Sequence, residues 1–446
     1  MMRSMFSGVS GLRAHQSRMD VIGNNVANVN TVGFKSGRVT FQEIFAQTLR
    51  GASAPDAATG RGGTNPMQVG LGLGVGAIDT IMTRGSLQRT DNPTDLSIEG
   101  EGFFIVKGGS GDTFRFTRAG NFGLDKLGNL VTGSGMNVYG WQAYDRNTDG
   151  TYKFDTELPI EPINLYSDVH NKNKMMISAK ATQNIVLSGN LDSSKAVNSA
   201  VSTANAQFTV PMTVYDSLGN DYKINILFQK TAQGTETPPA STTWTWTIPN
   251  DTATPSTYSV TMPTTPLPTI TFDQNGQITS STATLQDVVI TPKAAAAVMN
   301  VKLDFSKLTM YAADSSVKPT NIDGYSTGNL VTFNIGSDGI ITGIYSNGQQ
   351  QPLGMVALAG FENPAGLQKV GDNMYIPTTN SGDFKKALKA GSEGVGTLNP
   401  GTLEMSNVDL SKEFTDMIIT QRGFQANSRI ITTSDEMLQE LVNLKR

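Results

Sequence analysis

Residues that could carry acid–base, nucleophilic or metal chemistry are scarce in this sequence. It has no cysteine and only two histidines, His15 and His170, which we interpret as a helix-surface residue and a loop residue. The spacing of a serine nucleophile elbow, an HExxH zinc helix or a P-loop does not occur. Folding can bring carboxylate pairs together from distant positions, but nothing in the sequence favours that chemistry. The sequence therefore predicts a protein that is not an enzyme.

Two segments have the composition of ligand loops. Glycine alternates through Gly70–Gly76, but a dinucleotide site needs a strand before such a loop and a helix after it, and neither is expected here. Asp145–Gly150 alternates acidic and amide side chains as a calcium loop does, yet Thr156 stands where the bidentate Glu should be. We therefore predict a glycine-rich linker and a turn, with no metal and no cofactor.

Length and composition indicate several β-rich domains. The chain has 446 residues, enough for about three domains. Charged residues make up only 16% and glycines number 46, which favours tight turns over a compact helical enzyme. The net charge of −4 and the absence of a dense Lys/Arg run argue against nucleic acid as a partner. No apolar run approaches the roughly 18 residues of a membrane helix, and no secretion signal is recognisable, so we predict no membrane insertion.

Apolar residues recur every seven positions near both ends of the sequence, and the middle lacks this repeat. Such a repeat forms the seam of a coiled coil, in which apolar side chains pack between residues of a facing helix. We expect the terminal helices to pack together and to contact other subunits, although two antiparallel helices on a globular body would show the same stripe. The predicted subunit-packing residues are Met5, Leu12, Met19 and Val26 in the first helix and Leu410, Phe414, Met417, Phe424, Ile431 and Leu438 in the second.

A capping box at Ser406–Asp409 is predicted to start the second helix. In a capping box the N-cap hydroxyl and the side chain three residues later each bind the other's backbone amide. Ser406 is the expected N-cap, with Asp409 reaching back to it. In the first helix, Gly8 and Gly11 each cost about 1 kcal/mol relative to alanine, so we expect that helix to be marginal alone.

Short strands separated by turns fill the rest of the chain, so the predicted fold is mainly β with terminal α-helices. A short helix is expected over about 39–50, where four apolar residues have helical spacing. The predicted division is a terminal coiled-coil domain at 1–35 and 407–446, a linker with the short helix at 36–78, a discontinuous first β domain at 79–154 and 321–406, and an inserted outer β domain at 155–320.

Three turn sequences share one pattern. Asp125–Gly128, Asp216–Gly219 and Asp273–Gly276 each place Asp first and Gly fourth. Glycine supplies the positive φ that tight turns need, and the Asp side chain accepts hydrogen bonds from backbone amides within the turn. We predict hairpin turns at these positions rather than ion-binding loops.

The segment Asp20–Lys35 resembles the N-terminal signature of bacterial flagellar rod and hook proteins. Ser406–Leu410 and Gln421–Ser428 resemble the matching C-terminal signature. Asp95–Val106, followed by Phe116–Phe122, is similar to the first β segment of the same family. The resemblance is long at both ends and weaker over the interior. The signature residues that carry the resemblance are Asn24, Asn25, Asn28, Thr31, Gly33, Phe34, Lys35, Ser406, Asn407, Asp409, Gln421, Arg422 and Gly423.

The resemblance implies an extracellular structural subunit of the bacterial flagellum. The large central insert favours the hook branch of the family, because distal rod proteins resemble the chain at both ends but are shorter. A hook subunit would form a helical tube of identical copies, exported by the flagellar type III apparatus, that transmits torque as a universal joint. Its expected neighbours are the rod, hook-cap and hook–filament junction proteins. The alternatives are a distal rod or other axial protein, and a secreted β-rich adhesin whose helices merely anchor it.

Overall fold

The computed structural model places the chain in two compact units. Unit 1 comprises Met1–Asn173, Phe333–Thr342 and Pro352–Arg446, and unit 2 comprises Lys174–Thr332 and Gly343–Gln351. The residues that the structure describes are 2–55, 60, 62–109, 112–146, 152–198, 206–233, 241–251, 256–262, 268–279, 285–293 and 296–444. Most of the calcium-like segment considered above, residues 147–150, lies outside them.

Two long helices belong to unit 1. Helix α1 spans Met2–Ala27 and helix α2 spans Leu410–Asn443, and the two pack against each other. Almost all other regular structure is β-strand, so the predicted fold class, mainly β with packed terminal helices, is confirmed. Among the described residues, no helix combines the length and apolar character needed to cross a membrane.

The strands of unit 1 fall into an amino-terminal and a carboxy-terminal set. The first is β1 (Gly37–Glu43), β2 (Ala46–Arg50), β3 (Met67–Gly70), β4 (Leu73–Thr80), β5 (Leu87–Arg89), β6 (Leu96–Glu99), β7 (Phe103–Lys107), β8 (Arg115–Thr117), β9 (Phe122–Leu124), β10 (Leu130–Thr132), β11 (Asn137–Trp141), β12 (Tyr144–Arg146), β13 (Tyr152–Phe154), β14 (Glu161–Pro162), β15 (Ser167–Asp168) and β16 (Lys172–Asn173). The second is β30 (Gln368–Gly371), β31 (Met374–Ile376), β32 (Ala387–Lys389), β33 (Thr397–Pro400) and β34 (Thr402–Glu404), after a 3-10 turn at Pro364–Gly366.

Unit 2 contains β17 (Met176–Ile177), β18 (Asn184–Asp192), β19 (Phe208–Tyr215), β20 (Asp221–Ala232), β21 (Thr242–Thr247), β22 (Tyr258–Thr261), β23 (Thr269–Phe272), β24 (Leu285–Pro292), β25 (Met299–Tyr311) and β26 (Lys318–Ile322). Three further strands contain residues assigned to both units: β27 (Gly328–Ile335), β28 (Ile340–Tyr345) and β29 (Gln350–Ala359).

The prediction of a short helix over 39–50 is wrong, because this region forms a two-stranded antiparallel ribbon with residues 67–80. Strand β1 pairs with β4, and β2 pairs with β3 further along the same ribbon. The apolar residues that suggested a helix are spread over both strands and their junction, where Ile44 and Phe45 are exposed. The segment forms paired strands, and the helical spacing of its four apolar residues is a coincidence.

One antiparallel sheet forms the β body of unit 1. Strands β29, β11, β7, β8, β31 and β30 are neighbours in that order, and each neighbouring pair is antiparallel. The core under this sheet is rich in aromatic side chains, including Phe103, Phe116, Trp141 and Tyr375. The turn predicted at Asp125–Gly128 joins the antiparallel strands β9 and β10 and is confirmed.

Unit 2 is built from two sheets that share one core. One sheet has the order β22-β24-β25-β18-β26 and the other β19-β20-β21-β23. Apolar residues of both sheets, with Trp244 and Trp246 among them, form a single buried cluster. The turn predicted at Asp216–Gly219 connects β19 to β20 and is confirmed.

Candidate assembly site: the terminal helices and their junction with the β body

Helices α1 and α2 run antiparallel along a shared seam. Asn25 near the end of α1 donates to Glu413 Oε1 near the start of α2, at 3.2 Å. Further along, Arg18 Nη2 donates to Asp416 Oδ1 at 2.9 Å, so one ion pair fixes the register of the two helices. Both side chains of this pair are partly buried, which shields it from solvent more than a surface pair.

Small residues allow the two backbones to approach closely. A Cβ atom on Gly11 would lie 2.8 Å from Asn427 Nδ2, and one on Gly423 would lie 2.7 Å from His15 Cε1. The buried residues of α2 are Thr420 and Ser434, both polar. The glycines that weaken α1 as an isolated helix therefore create the space for its contact with α2.

The column of α2 that faces α1 is polar rather than apolar. Glu413, Thr420, Asn427 and Ser434 stand seven residues apart, and Glu413 and Asn427 contact residues of α1. Hydroxyl groups of the two buried members satisfy backbone carbonyls of their own helix: Thr420 Oγ1 donates to Asp416 O at 2.6 Å and Ser434 Oγ donates to Ile430 O at 2.7 Å. The seven-residue apolar repeat predicts both helices and their pairing, but the apolar column that it marks lies beside the polar column through Thr420.

None of the ten predicted subunit-packing residues is fully buried in the single chain. Half-buried are Met5, Leu12, Met19, Val26, Met417, Ile431 and Leu438, whereas Leu410, Phe414 and Phe424 are exposed. The helix pair of one chain therefore leaves much of the predicted apolar stripe unburied. Their proposed role between subunits stays a prediction.

His15 lies where α1, α2 and strand β1 meet. Its ring packs edge-on against Phe41 of β1, with 5.7 Å between ring centroids, and fills the space above Gly423. Burial lowers the pKa of His15, and the nearby positive charge of Arg18 lowers it further. Its Nδ1 atom is buried and has no hydrogen-bond partner within the described part of the chain. His15 is thus a packing residue of the seam and not the surface residue that was predicted.

The predicted N-cap of α2 is wrong. The N-cap is Asp409, whose Oδ1 accepts from the backbone amides of Ser411 at 2.9 Å and Lys412 at 3.3 Å. Ser406 is buried three residues earlier, and its Oγ accepts from the amide of Val408. The capping box fails because Ser406 lies in the non-helical segment before α2, three residues ahead of the actual N-cap.

A buried ion cluster joins the N-terminal signature to the C-terminal strand β34. Lys35 Nζ donates to Glu404 Oε1 at 2.6 Å and to the carbonyl oxygen of Thr83 at 2.8 Å. Arg118 Nη1, from the β body, donates to Glu404 Oε2 at 3.3 Å. Relative exposures of the three charged residues are 1%, 0% and 5% for Lys35, Glu404 and Arg118. We call these three residues the junction cluster.

The charges of the junction cluster stabilise one another. Burial by itself raises the pKa of Glu404, but Lys35 and Arg118 outweigh this effect and hold that pKa below its usual range. Burial lowers the pKa of Lys35, and Glu404 partly offsets the change. The backbone amide of Gly85 donates to Glu404 Oε1 at 3.1 Å, which further favours the carboxylate.

Two asparagines of the signatures replace missing backbone partners at the same junction. Asn407 Oδ1 accepts from the amide of Ser36 at 2.8 Å, and its Nδ2 donates to Ile81 O at 2.9 Å. Asn25 binds both backbone groups of Gly37, at 2.9 and 2.8 Å. Because such side-chain bonds satisfy otherwise buried backbone groups, these positions tolerate few other residue types.

Other signature residues shape the turn between α1 and the junction cluster. Asn28 Nδ2 donates to Asn24 Oδ1 at 2.8 Å, and Thr31 Oγ1 donates to Asn28 Oδ1 at 3.1 Å. Gly33 has φ of 68° and donates to Glu404 O at 2.8 Å, with backbone atoms of residues 118 and 119 too close to admit a Cβ atom. Phe34 is buried.

Three signature residues, Gln421, Arg422 and Gly423, lie on α2 away from this junction. Gln421 and Arg422 are exposed on α2. The structure also adds residues that the sequence analysis gave no role. Lys369 Nζ donates to Lys35 O at 3.0 Å and lies 5.0 Å from the centre of the Phe34 ring.

Within the described residues, no group of three or more His, Asp or Glu side chains is arranged to hold a metal ion. His170 Nε2 lies 3.4 Å from Glu161 Oε2, and both side chains are partly exposed. The geometry of unit 1 instead fixes a polar helix pair to a β body through buried charges.

Family models for flagellar axial proteins match most parts of the chain. Residues 5–35 match the flagella basal body rod protein model, and 399–444 match the flagellar basal body rod FlgEFG protein C-terminal model. Residues 97–183 match the flagellar hook protein FlgE/F/G D1 domain, and 190–325 match the flagellar basal body protein FlaE D2 domain. The helices, the junction and both units thus carry the features of the bacterial flagellar rod and hook proteins.

Full-length relatives narrow this class. The chain is 41% identical over 471 residues to the flagellar hook protein FlgE of Borreliella burgdorferi and 39% identical over 487 residues to that of Treponema pallidum, with 100% of each chain covered in both comparisons. The chain belongs to the flagellar hook protein FlgE family. Members of that family are structural hook proteins and are not known as enzymes.

Length alone does not separate hook from rod proteins. The flagellar basal-body rod protein FlgG of Bacillus subtilis is 31% identical over 446 residues, and the alignment covers 100% of both chains. The expectation that distal rod proteins are shorter than this chain is therefore wrong for this relative. The higher identity to hook proteins decides the family.

Proposed function

We propose that the chain is a structural subunit that assembles with copies of itself into the flagellar hook. Head-to-tail contacts that do not close on themselves generate helical tubes, and a curved, flexible tube would transmit torque from rod to filament as a universal joint. The observation that carries this proposal is the surface of α2, which exposes large apolar side chains along its length. Those of the first half are Leu410, Phe414, Ile418, Ile419 and Phe424.

The arrangement of polar and apolar columns supports assembly over a merely intramolecular role. The two buried residues of α2, Thr420 and Ser434, are polar, and of its large apolar residues Ile430 and Ile431 lie near Gly8 of α1. Helix α1 alone therefore leaves most of the large apolar side chains of α2 exposed. Phe414 is 50% exposed and Ile418 is 59% exposed in the single chain. Continuous exposed apolar surface of this kind marks interaction sites in soluble proteins. A neighbouring subunit would bury it.

Further parts of the proposal follow from the family. The subunit would leave the cell through the flagellar type III apparatus and act outside it, between the rod and the hook–filament junction proteins, with a hook cap at the growing end. The proposed division keeps 1–35 and 407–446 as the assembly domain, 79–154 and 321–406 as the first β domain, and 155–320 as an outer domain. Weak polar contacts between outer domains would let a tube bend.

Electron microscopy of concentrated, purified protein tests the proposal. Tubes are the expected result, and persistent monomers at high concentration would instead favour the adhesin alternative. Phe424→Ala should impair tube formation while the thermal midpoint of the monomer stays unchanged, because Phe424 is 42% exposed in the single chain. Leu127→Ala is the matched control, since Leu127 is 68% exposed in a turn of the β body. Equal effects of the two substitutions on assembly would contradict the assigned role of α2.

A further inference from the structure

An apolar groove runs along the face of α1 that α2 does not cover. Its volume is about 430 Å³, and α1 and the ribbon strands form its two sides. Phe6 is 66% exposed, Val9 is 37% exposed and Ile44, on the ribbon side, is 62% exposed. Arg13 contributes the positive charge of the lining. We call this feature the α1 groove.

The last third of α2 has the complementary character. Met437, Leu441 and Leu444 recur at helical spacing and are 52%, 53% and 86% exposed with α1 already in place. Residues 431–444 contain three acidic residues and no Lys or Arg, and Lys445 and Arg446 follow them in the sequence. Glu436 and Glu440 directly precede two of the exposed apolar residues. This stripe therefore offers apolar side chains flanked by negative charge, which fits an apolar groove that contains an arginine.

The dimensions of the groove and the stripe also agree. Phe6 and Arg13 are seven positions apart on α1, and Met437 and the C-cap Leu444 are seven positions apart at the end of α2, each about 10 Å along a helix. The α2 helix of the same chain cannot fill the groove, because it already packs on the Gly8–Gly11 side of α1 and leaves its own stripe exposed.

We infer that the α1 groove of one copy binds the Met437–Leu444 stripe of a second copy. This inference rests on the proposed function and specifies one contact within the tube. Apolar burial would hold the stripe, and Arg13 beside Glu440 would set its register. A hook-cap or junction protein presenting a similar helix is a competing occupant that the test below separates.

Disulfide trapping tests the contact cleanly, because the chain contains no cysteine of its own. Val9→Cys/Leu441→Cys in the full chain should give a ladder of covalent oligomers on a non-reducing gel after mild oxidation of tubes. The control is Val9→Cys/Phe414→Cys, which places the second thiol on an equally exposed part of α2 roughly 40 Å further along the helix. This control should stay monomeric on the gel.

Charge exchange provides the second measurement. Arg13→Glu and Glu440→Arg should each raise the protein concentration needed for tube formation by up to about fivefold, the range of an ion pair at a solvent-exposed rim. The double exchange Arg13→Glu/Glu440→Arg should restore it to near the unmodified value. Independent, additive losses would overturn the pairing.

The outcomes distinguish this inference from the proposed function. Tubes without a Val9–Leu441 ladder overturn the inference and leave the hook role intact, and another protein would then be the candidate occupant. Cross-linked monomers without oligomers would mean that the groove is filled within one chain, which also overturns it. An equal ladder from the control pair would show non-specific contact and overturn it as well. If the unmodified chain forms no tubes, the proposed function itself fails and this contact falls with it.

Discussion

Removing the charge of Glu404 should destabilise unit 1 far more than removing a carboxylate at its surface. Glu404→Gln keeps the size of the side chain but leaves Lys35 and Arg118 buried without a counter-charge. Breaking a buried ion pair by removing one partner costs about 3–5 kcal/mol. The matched control is Glu362→Gln, because Glu362 also pairs with a lysine but is 85% exposed. Surface pairs contribute little, so this control should behave like the unmodified protein.

The distribution of tryptophans allows unit 1 to be measured alone. Of the three tryptophans, Trp141 is buried in unit 1, whereas Trp244 and Trp246 are in the core of unit 2. A Trp244→Phe/Trp246→Phe background leaves fluorescence from Trp141 as the probe for urea unfolding. With a urea m-value of about 2–3 kcal/mol/M, the expected loss lowers the midpoint by about 1–2.5 M.

The pH dependence provides a second check on the same residue. The pKa of Glu404 is depressed in the folded state, so its contribution to the free energy of unfolding is present above the unfolded pKa of about 4.3 and is lost as pH falls through the folded value. The difference between unmodified protein and Glu404→Gln should stay constant from about pH 6 to 8 and shrink below about pH 4. A loss no larger than that of the Glu362→Gln control, or one independent of acid pH, would refute the assigned role of the junction cluster.

Three further predictions concern other described contacts. Asp409→Ala should lower the stability of α2 by about 1 kcal/mol, whereas Ser406→Ala should leave the helix start intact, as followed by circular dichroism and proteolysis of the C-terminal segment. Asp216→Ala should cost unit 2 about 2–4 kcal/mol by urea unfolding, because the buried carboxylate accepts from two backbone amides and a tyrosine hydroxyl; a value under 1 kcal/mol would contradict this. Gly423→Ala should weaken the helix pair by its clash with the His15 ring, yet strengthen it by about 0.5–1 kcal/mol in a His15→Ala background, where only the gain in helix propensity remains; the same sign in both backgrounds would disprove the clash.

Local patterns predicted the parts of the fold that depend on neighbouring residues. The turns at Asp125–Gly128 and Asp216–Gly219 were found from four residues each, because the Asp side chain and the positive φ of glycine define such a turn locally. The two terminal helices and their partnership followed from a seven-residue repeat. The ribbon at 37–80 was missed, since its strand pairing competes with a short helical spacing that the sequence also contains.

The junction cluster could not be predicted from spacing. The sequence marks Lys35 only through its place in the family signature. Arg118 lies inside a segment with family similarity, but nothing in the sequence assigns it a role. No local sequence pattern indicates the role of Glu404, because its partners Lys35 and Arg118 are 369 and 286 positions away in the sequence. In the helix seam, the apolar repeat predicts that the apolar column of α2 faces α1. Close contacts at Gly11 and Gly423 instead place the polar column through Thr420 against α1.

The separation of Lys35 from Glu404 has a consequence for how the chain reaches its folded state. Joining points 369 residues apart in a flexible chain costs about 5 kcal/mol of closure entropy, so this contact forms only with the cooperation of the whole unit. When the chain emerges with its N-terminus first, Lys35 and Arg118 appear before Glu404 and lack its carboxylate until the final segment follows. Unit 1 therefore completes its folding late and in one cooperative step. In a truncated chain ending before residue 404, Lys35 and Arg118 would lack their carboxylate partner, and the region around them would stay exposed and sensitive to proteases.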